Sequence, residues 1–173
     1  MTTPGPASAS GWADLLQRLA HYVPGLGKYQ DREGLRETDK QVRLYLAGLI
    51  VELIPLLEGA ERRLTEAGQL DRLPALDRVT RLLHTLADRV RFASYGFAGV
   101  FDLHTIRETE LTALHRFDLN LVEALPRLQE RVSSLAGAAM EDARFPQALQ
   151  ATEAGLQDFE RSLAERDRLA HGL

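Results

Sequence analysis

The feature that most constrains this chain is the spacing of its apolar residues, which recur at alternating intervals of four and three over four long segments. That period matches an α-helix packed against other helices, and no alternating Val, Ile or Thr run between turn residues indicates a strand. The second segment shows the pattern at Leu35, Asp39, Val42, Leu46, Leu49, Leu53, Leu56 and Ala60. The chain is therefore expected to be all-α.

Proline and glycine residues divide this pattern into five predicted helices. Their approximate ranges are Gly11–Val23, Asp31–Ala67, Arg72–Ala93, Thr105–Gly137 and Ala139–Ala170. Pro55 and Pro126 lie inside two of them, where proline kinks a helix. Short links favour antiparallel neighbours. The predicted fold is an antiparallel up-down four-helix bundle over 11–173, with a short accessory N-terminal helix and a disordered tail at 1–10. An extended coiled-coil dimer is the alternative.

Composition excludes several classes of function. The 173 residues suit one domain with a real core, and the net charge of −4 argues against nucleic acid as a partner, because phosphate binding needs a concentrated cationic face. No cysteine is present to form a disulfide or a thiolate metal site. The longest apolar run, Leu44–Val51, is far shorter than the roughly 20 residues of a membrane span. A cytoplasmic protein is expected.

Two carboxylates interrupt the apolar spacing, Asp39 and Asp118. An unpaired buried carboxylate costs several kcal/mol, so arginine partners are expected, either to fix the register of the helices or to form a site. Counting the helix rise places Asp39 level with Arg89 and Glu110 in a polar core layer, with Asp118 about two turns deeper. The candidate partners are Arg36, Arg43, Arg89, Arg91 and Arg116.

An apolar connector, 94–102, joins the predicted helix that ends at Ala93 to the one that begins at Thr105, at the same end of the predicted bundle. It carries Tyr95, Phe97, Val100 and Phe101 between glycines. Exposed aromatic residues of this kind bind partners, whereas buried ones would cap the core. The C-terminal turn, with Arg166, Arg168 and His171, is expected at this end too. Any functional site is therefore predicted here.

The sequence contains no residue pattern that indicates a metal site or a catalytic site. Di-iron carboxylate bundles use Glu-x-x-His on two helices, and this motif does not occur. The five histidines are scattered, with no pair at an i, i+4 spacing. No nucleophile or paired-carboxylate arrangement can be argued from spacing. We predict no metal, no cofactor and no enzymatic activity.

Four segments together resemble a functionally uncharacterised group of small bacterial helical proteins. They are Val23-Pro-Gly-Leu-Gly-Lys-Tyr29, Arg36-Glu-Thr-Asp-Lys40, Tyr95-Gly-Phe-Ala-Gly-Val-Phe-Asp102 and Leu114-His-Arg-Phe-Asp-Leu119. The resemblance covers about Val23 to Val132. It draws attention to the same end of the bundle and implies no role for any residue.

The sequence favours a non-catalytic protein that binds another protein, or itself as a homo-oligomer, through the connector end. A second hypothesis is peripheral attachment to a membrane surface through the Gly11–Val23 helix, where Trp12 and leucines share a face. A third is binding of a small ligand or anion in the polar layer, near two helix N-termini that offer free N–H groups.

Overall fold

The computed structural model describes residues 8–26, 32–93 and 108–170; its account of side chains leaves out 8–13, 16, 32–37, 108–112, 114 and 170. Six α-helices and one short 3-10 turn occur in these ranges. They are α1 (Ser8–Tyr22), α2 (Arg32–Val51), α3 (Ile54–Glu66), the 3-10 turn (Leu70–Arg72), α4 (Leu73–Phe92), α5 (Glu108–Ala138) and α6 (Phe145–Ala170). The described residues contain no strand, which confirms the all-α prediction. α1 begins at Ser8, inside the segment predicted as a tail.

The buried core follows the spacing seen in the sequence. In α4 every predicted position is buried, and in α5 the same holds from Asp118 onward. The buried apolar members of these two seams are Leu76, Val79, Leu83, Leu86, Val90, Leu121, Leu125, Leu128, Val132 and Leu135. The 4-3 spacing therefore identified the inward faces of these two helices.

Pro55 divides the predicted second helix rather than kinking it. α2 ends at Val51 and α3 begins at Ile54, with Pro55 in the first turn of α3. Proline has no N–H to bond the carbonyl four residues earlier, so the ladder is interrupted there. The buried face already departs from the predicted spacing before this break, since Ile50 is 0% exposed and Leu49 is only partly buried. At Leu57 too the fully buried residue is one position later than predicted, and Leu56 is 39% exposed, so the prediction that Leu56 lies in the core was wrong.

The turn between α3 and α4 is closed by a Schellman motif. Gly68 has φ of +72°, its N–H donates to Thr65 O, and the Gln69 N–H donates to Leu64 O. A left-handed glycine at this position lets the chain reverse without a Cβ clash. By contrast, α5 continues through Pro126 as one helix.

The helices pack in a cycle. α2 and α3 contact α4, α4 contacts α6, α6 contacts α5, and α5 contacts α2 and α3. Arg63 near the end of α3 reaches Ala136 near the end of α5, so these helices run in the same direction. Arg78 and Arg89 of α4 pair in order with Glu153 and Glu160 of α6, so that pair is also parallel.

The two short connections were expected to join antiparallel neighbours, and neither of these parallel pairs is joined by a short connection. Direction alternates along the chain, but α4 and α5 lie across the diagonal of the cycle from each other. Between Phe92 and Glu108 the chain has enough residues to join helices that are not neighbours. The short α3–α4 and α5–α6 links do join antiparallel neighbours.

α1 lies against α5. Its residues Leu15 and Leu19 are buried in the common core, as is Val23 just beyond its end. Arg18 pairs with Glu123 of α5 at 2.7 Å. The apolar face of α1 is thus used inside the protein.

Candidate functional site

A buried network of charged side chains lies at the end of the helices predicted to carry a site. Asp39 on α2 and Asp118 on α5 are 0% and 1% exposed. Between them lies Arg166 of α6, which is 1% exposed. Its Nε donates to Asp118 Oδ1 at 2.6 Å, and its Nη2 donates to Asp39 Oδ1. One guanidinium therefore joins both carboxylates.

Arg43 extends the network to the C-terminal end of α4. It lies one turn after Asp39 on α2, and its Nε donates to Asp39 Oδ2 at 2.9 Å. Its Nη1 donates to Ala93 O at 2.7 Å and to Arg91 O at 3.2 Å. Helix C-termini leave carbonyl groups unsatisfied and carry partial negative charge, so a guanidinium is well suited to this position.

His115 completes the network on α5. It lies one turn before Asp118, is 1% exposed, and places Nδ1 3.4 Å from Asp118 Oδ2. The contacts run from His115 and Asp118 on α5, through Arg166 on α6 and Asp39 and Arg43 on α2, to the last carbonyls of α4. The network therefore connects four helices.

Burial and charge pairing act against each other on the aspartates. Burial raises the pKa of Asp39, more strongly than the charges of Arg166 and Arg43 lower it, and the nearby Asp118 carboxylate raises it further. Burial also acts to raise the pKa of Asp118, but the His115 hydrogen bond and the charge of Arg166 together bring that pKa below its ordinary value.

Burial and the neighbouring charges have the opposite effects on the pKa of the Arg166 guanidinium. Burial alone would lower the pKa of Arg166, but the charges of Asp118 and Asp39 outweigh it and raise that pKa. Arg166 therefore remains a cation in the interior, as a residue shared by two carboxylates must.

The structure places the predicted polar layer differently in two respects. Asp39 and Asp118 lie at one level, because Arg166 bonds both, whereas the sequence analysis set Asp118 two turns deeper. That estimate assumed that the helices start in one plane, and α2 and α5 do not. Arg89 lies outside the layer: it is 41% exposed and pairs with Glu160 at 3.4 Å.

The remaining predicted residues divide into two groups. Of the suggested arginine partners, Arg43 is in the network, while Arg91 contributes only its carbonyl and Arg116 is exposed. The other predictions fall on parts of the molecule outside the described residues. These are the side chains of Arg36 and Glu110, and the connector residues Tyr95, Phe97, Val100 and Phe101.

Sequence reasoning missed Arg166 as the central partner. A signal was present: the α6 spacing Thr152, Leu156, Phe159, Leu163 continues by three residues to Arg166. Extending the seam by one position would have identified a third charge among the apolar positions. His115 lies next to its seam and three residues from Asp118, which gave a weaker signal.

This arrangement is suited to fixing positions rather than to binding a cation. Both carboxylates already accept hydrogen bonds from guanidinium groups, so a metal ion would have to displace Arg166. In the ranges that the structure describes, no three His, Asp or Glu side chains are placed to hold a metal ion. Nor does any helix in those ranges combine the length and apolar run of a membrane span.

Comparisons of the chain with protein-family models, with curated proteins and with solved structures find no match.

Proposed function

We propose that this chain is a non-catalytic, cytoplasmic protein that binds another protein, or a second copy of itself, through the end that carries connector 94–102. In this proposal α2 with α3, α4, α5 and α6 form a four-helix up-down bundle, and α1 is an accessory helix. The buried network holds the binding end in a fixed geometry, and no residue of the network contacts the partner.

The contacts of Arg43 support a fixed base for the connector. Arg43 is itself held by Asp39, and it binds the carbonyls of Arg91 and Ala93. Ala93 is the residue that precedes the connector, and it is buried. A loop that starts from a fixed point loses less conformational entropy on binding than one that starts from a frayed helix end.

The observation that carries the proposal is the exposure of Phe92. It is the last residue of α4 and is 75% exposed, the most exposed large apolar side chain in the described part of the protein. A single exposed apolar residue is ordinary, but this one lies two residues before a segment rich in aromatic side chains. Aromatic residues supply much of the binding energy of protein interfaces.

The packing of α1 bears on the membrane alternative. Leu15 and Leu19 are buried in the common core, so insertion of this face into a lipid surface would require α1 to leave α5. That step would expose apolar core in the rest of the protein and costs free energy. Binding through the connector end requires no such rearrangement.

Site-specific photocrosslinking tests the proposal in the cells that produce the protein. A photoreactive phenylalanine analogue is placed at Phe92 in one variant and at Leu70 in another. Leu70 is the matched control because it is 56% exposed and lies at the opposite end of the bundle. Crosslinked products are identified by mass spectrometry, and circular dichroism verifies the fold of both variants.

We expect a discrete crosslinked species from position 92 and none from position 70. A crosslink between two copies of the chain identifies self-association, and a crosslink to another polypeptide identifies a partner. Changing Phe97 and Phe101 together to Ser should then reduce the yield at position 92 without changing helicity. Equal crosslinking at positions 92 and 70, or none at 92, would refute the proposal.

A further inference from the structure

A groove between α5 and α6 lies apart from the network and the connector end. It has a volume of about 150 Å³. Arg127 and Arg131 of α5 line one side, Asp158 and Ser162 of α6 line the other, and Phe159 contributes apolar surface. A space of this size holds a group about as large as benzene.

Gly155 leaves room for the Arg131 side chain against α6. A Cβ atom on Gly155 would lie 2.5 Å from Arg131 Nη1 and 2.9 Å from Arg131 Cδ, both too close for any real side chain. Arg131 therefore extends directly across the backbone of α6. Glycine inside a helix costs about 1 kcal/mol relative to alanine, so this position gives up helix stability while making room for a guanidinium.

The two arginines of the groove have no carboxylate partner among the residues that the structure describes. Arg127 and Arg131 are one helical turn apart, where like charges repel. Neither forms an ion pair with a carboxylate in the described ranges, whereas Asp158, the acidic residue of the groove, lies 3.3 Å from Arg161 Nη1. The two guanidinium groups outnumber the one carboxylate of the groove, and with the apolar floor they match an anion that carries an apolar substituent.

We propose that this groove binds a phosphate group, with Arg127 and Arg131 donating to the phosphate oxygens. The phosphate is either free or carried as a small phosphomonoester whose apolar part contacts Phe159 and Leu128. Arg131 is the principal residue, because the absence of a side chain at Gly155 lets the Arg131 side chain lie against α6 inside the groove. The proposal does not depend on the protein-binding function of the connector end.

Nuclear magnetic resonance titration of the full-length protein tests this site, with inorganic phosphate and phenyl phosphate as probes in phosphate-free buffer. We expect saturable amide shifts concentrated in residues 127–131 and 155–162. Tighter binding of phenyl phosphate identifies an ester as the ligand class, and equal binding identifies free phosphate. No saturable shift with either probe, or shifts spread over the whole surface, overturns the proposal.

Three variants separate a built site from general charge attraction. Arg131→Gln should weaken binding about tenfold, the effect of losing one charge-assisted contact. Gly155→Ala keeps every charge but displaces Arg131, and it should weaken binding by less. Arg62→Gln, at an exposed arginine of α3, makes the same charge change elsewhere and should have no effect.

Thermal unfolding verifies that each variant is folded before titration. The proposal fails if Arg131→Gln binds as tightly as the unaltered protein. It also fails if Arg62→Gln weakens binding as much as Arg131→Gln does, because general attraction would then account for the affinity.

Discussion

Arginine side chains form hydrogen bonds between helices at both ends of the bundle, but their surroundings differ. At the connector end, Arg166 is 1% exposed and bonds two buried carboxylates. At the opposite end, Arg63 donates to Ala136 O at 3.0 Å, and Arg72 donates to Ala139 O at 2.7 Å and to Asp142, whose side chain is 90% exposed. The residue type is the same, but the carboxylate partners of Arg166 are buried, whereas the carboxylate partner of Arg72 is exposed.

The two ends therefore differ in how strictly they fix the alignment of the helices. An ion pair with an exposed carboxylate, such as that of Arg72 with Asp142, can be lost at little cost, because water solvates the carboxylate in its place. A buried guanidinium between two carboxylates leaves uncompensated charges when it is removed. The connector end can therefore hold one alignment of the helices, while the opposite end only limits fraying. Five single substitutions, given from the largest expected effect to the smallest, and one triple variant test this contrast.

Arg166→Leu should have the largest effect. It leaves Asp39 and Asp118 buried without the cation that they share, which costs about 3–5 kcal/mol of unfolding free energy. Urea denaturation followed by circular dichroism measures the loss. A loss under about 1 kcal/mol would show that the buried end is no more demanding than the exposed one.

The control for this substitution removes the whole charged triad. When Asp39, Asp118 and Arg166 are all changed to Leu, no buried charge among the three remains unpaired. Such replacements are often neutral or stabilising by about 1–4 kcal/mol, so the triple variant should recover most of the stability lost by Arg166→Leu. If the triple variant is instead less stable than Arg166→Leu, the charged network contributes net folding stability rather than only specificity of helix alignment.

Arg43→Gln should cost about 1.5–3 kcal/mol, because it removes charge-assisted bonds to Asp39 and to the last carbonyls of α4. Asp39 keeps Arg166 as a partner, so the loss is smaller than for Arg166→Leu. Hydrogen exchange should accelerate selectively at the C-terminal turn of α4. Uniform acceleration over all helices would contradict a local role for Arg43.

Asp118→Asn should alter the pH dependence of stability. The pKa of Asp118 is below its ordinary value of 3.8 in the folded protein, so its carboxylate stabilises the fold above that value and loses this effect as pH falls through the lowered pKa. The stability difference between the unaltered protein and this variant should therefore shrink in acid. Urea unfolding at a series of pH values measures it.

Asp39→Asn is the control, because the pH dependence of its effect on stability should have the opposite sign. The pKa of Asp39 is raised, so the folded protein takes up this proton at a higher pH than the unfolded chain does. The contribution of Asp39 to stability should therefore increase as pH falls through its folded-state pKa towards 3.8. Identical pH profiles for the two Asn variants would contradict the assignment of opposite shifts.

Asp142→Asn should have the smallest effect, under about 0.5 kcal/mol, because its carboxylate is exposed where it meets Arg72. This variant makes the same chemical change as Asp118→Asn at the other end of the bundle. Urea unfolding of both at neutral pH measures the contrast directly. A cost for Asp142→Asn that equals the cost for Asp118→Asn would remove the distinction between the two ends.

The sequence by itself determined the helical class and the inward faces of α4 and α5, because the 4-3 spacing is a local property that any helical packing must satisfy. It also marked Asp39 and Asp118 as breaks in that spacing. It did not predict that the buried face of the second segment departs from this spacing by one residue at Ile50 and again at Leu57, which places Leu57 rather than Leu56 in the core.

Only the tertiary structure decided which charges meet. Arg166 is 127 residues from Asp39 along the chain, and their pairing depends on α6 lying across the cycle from α2 and on the level at which each helix begins. Those levels depend on how whole helices pack, which the residue spacing within one helix does not specify. Spacing within one helix therefore identified the buried carboxylates, while the relative placement of different helices selected their shared cation.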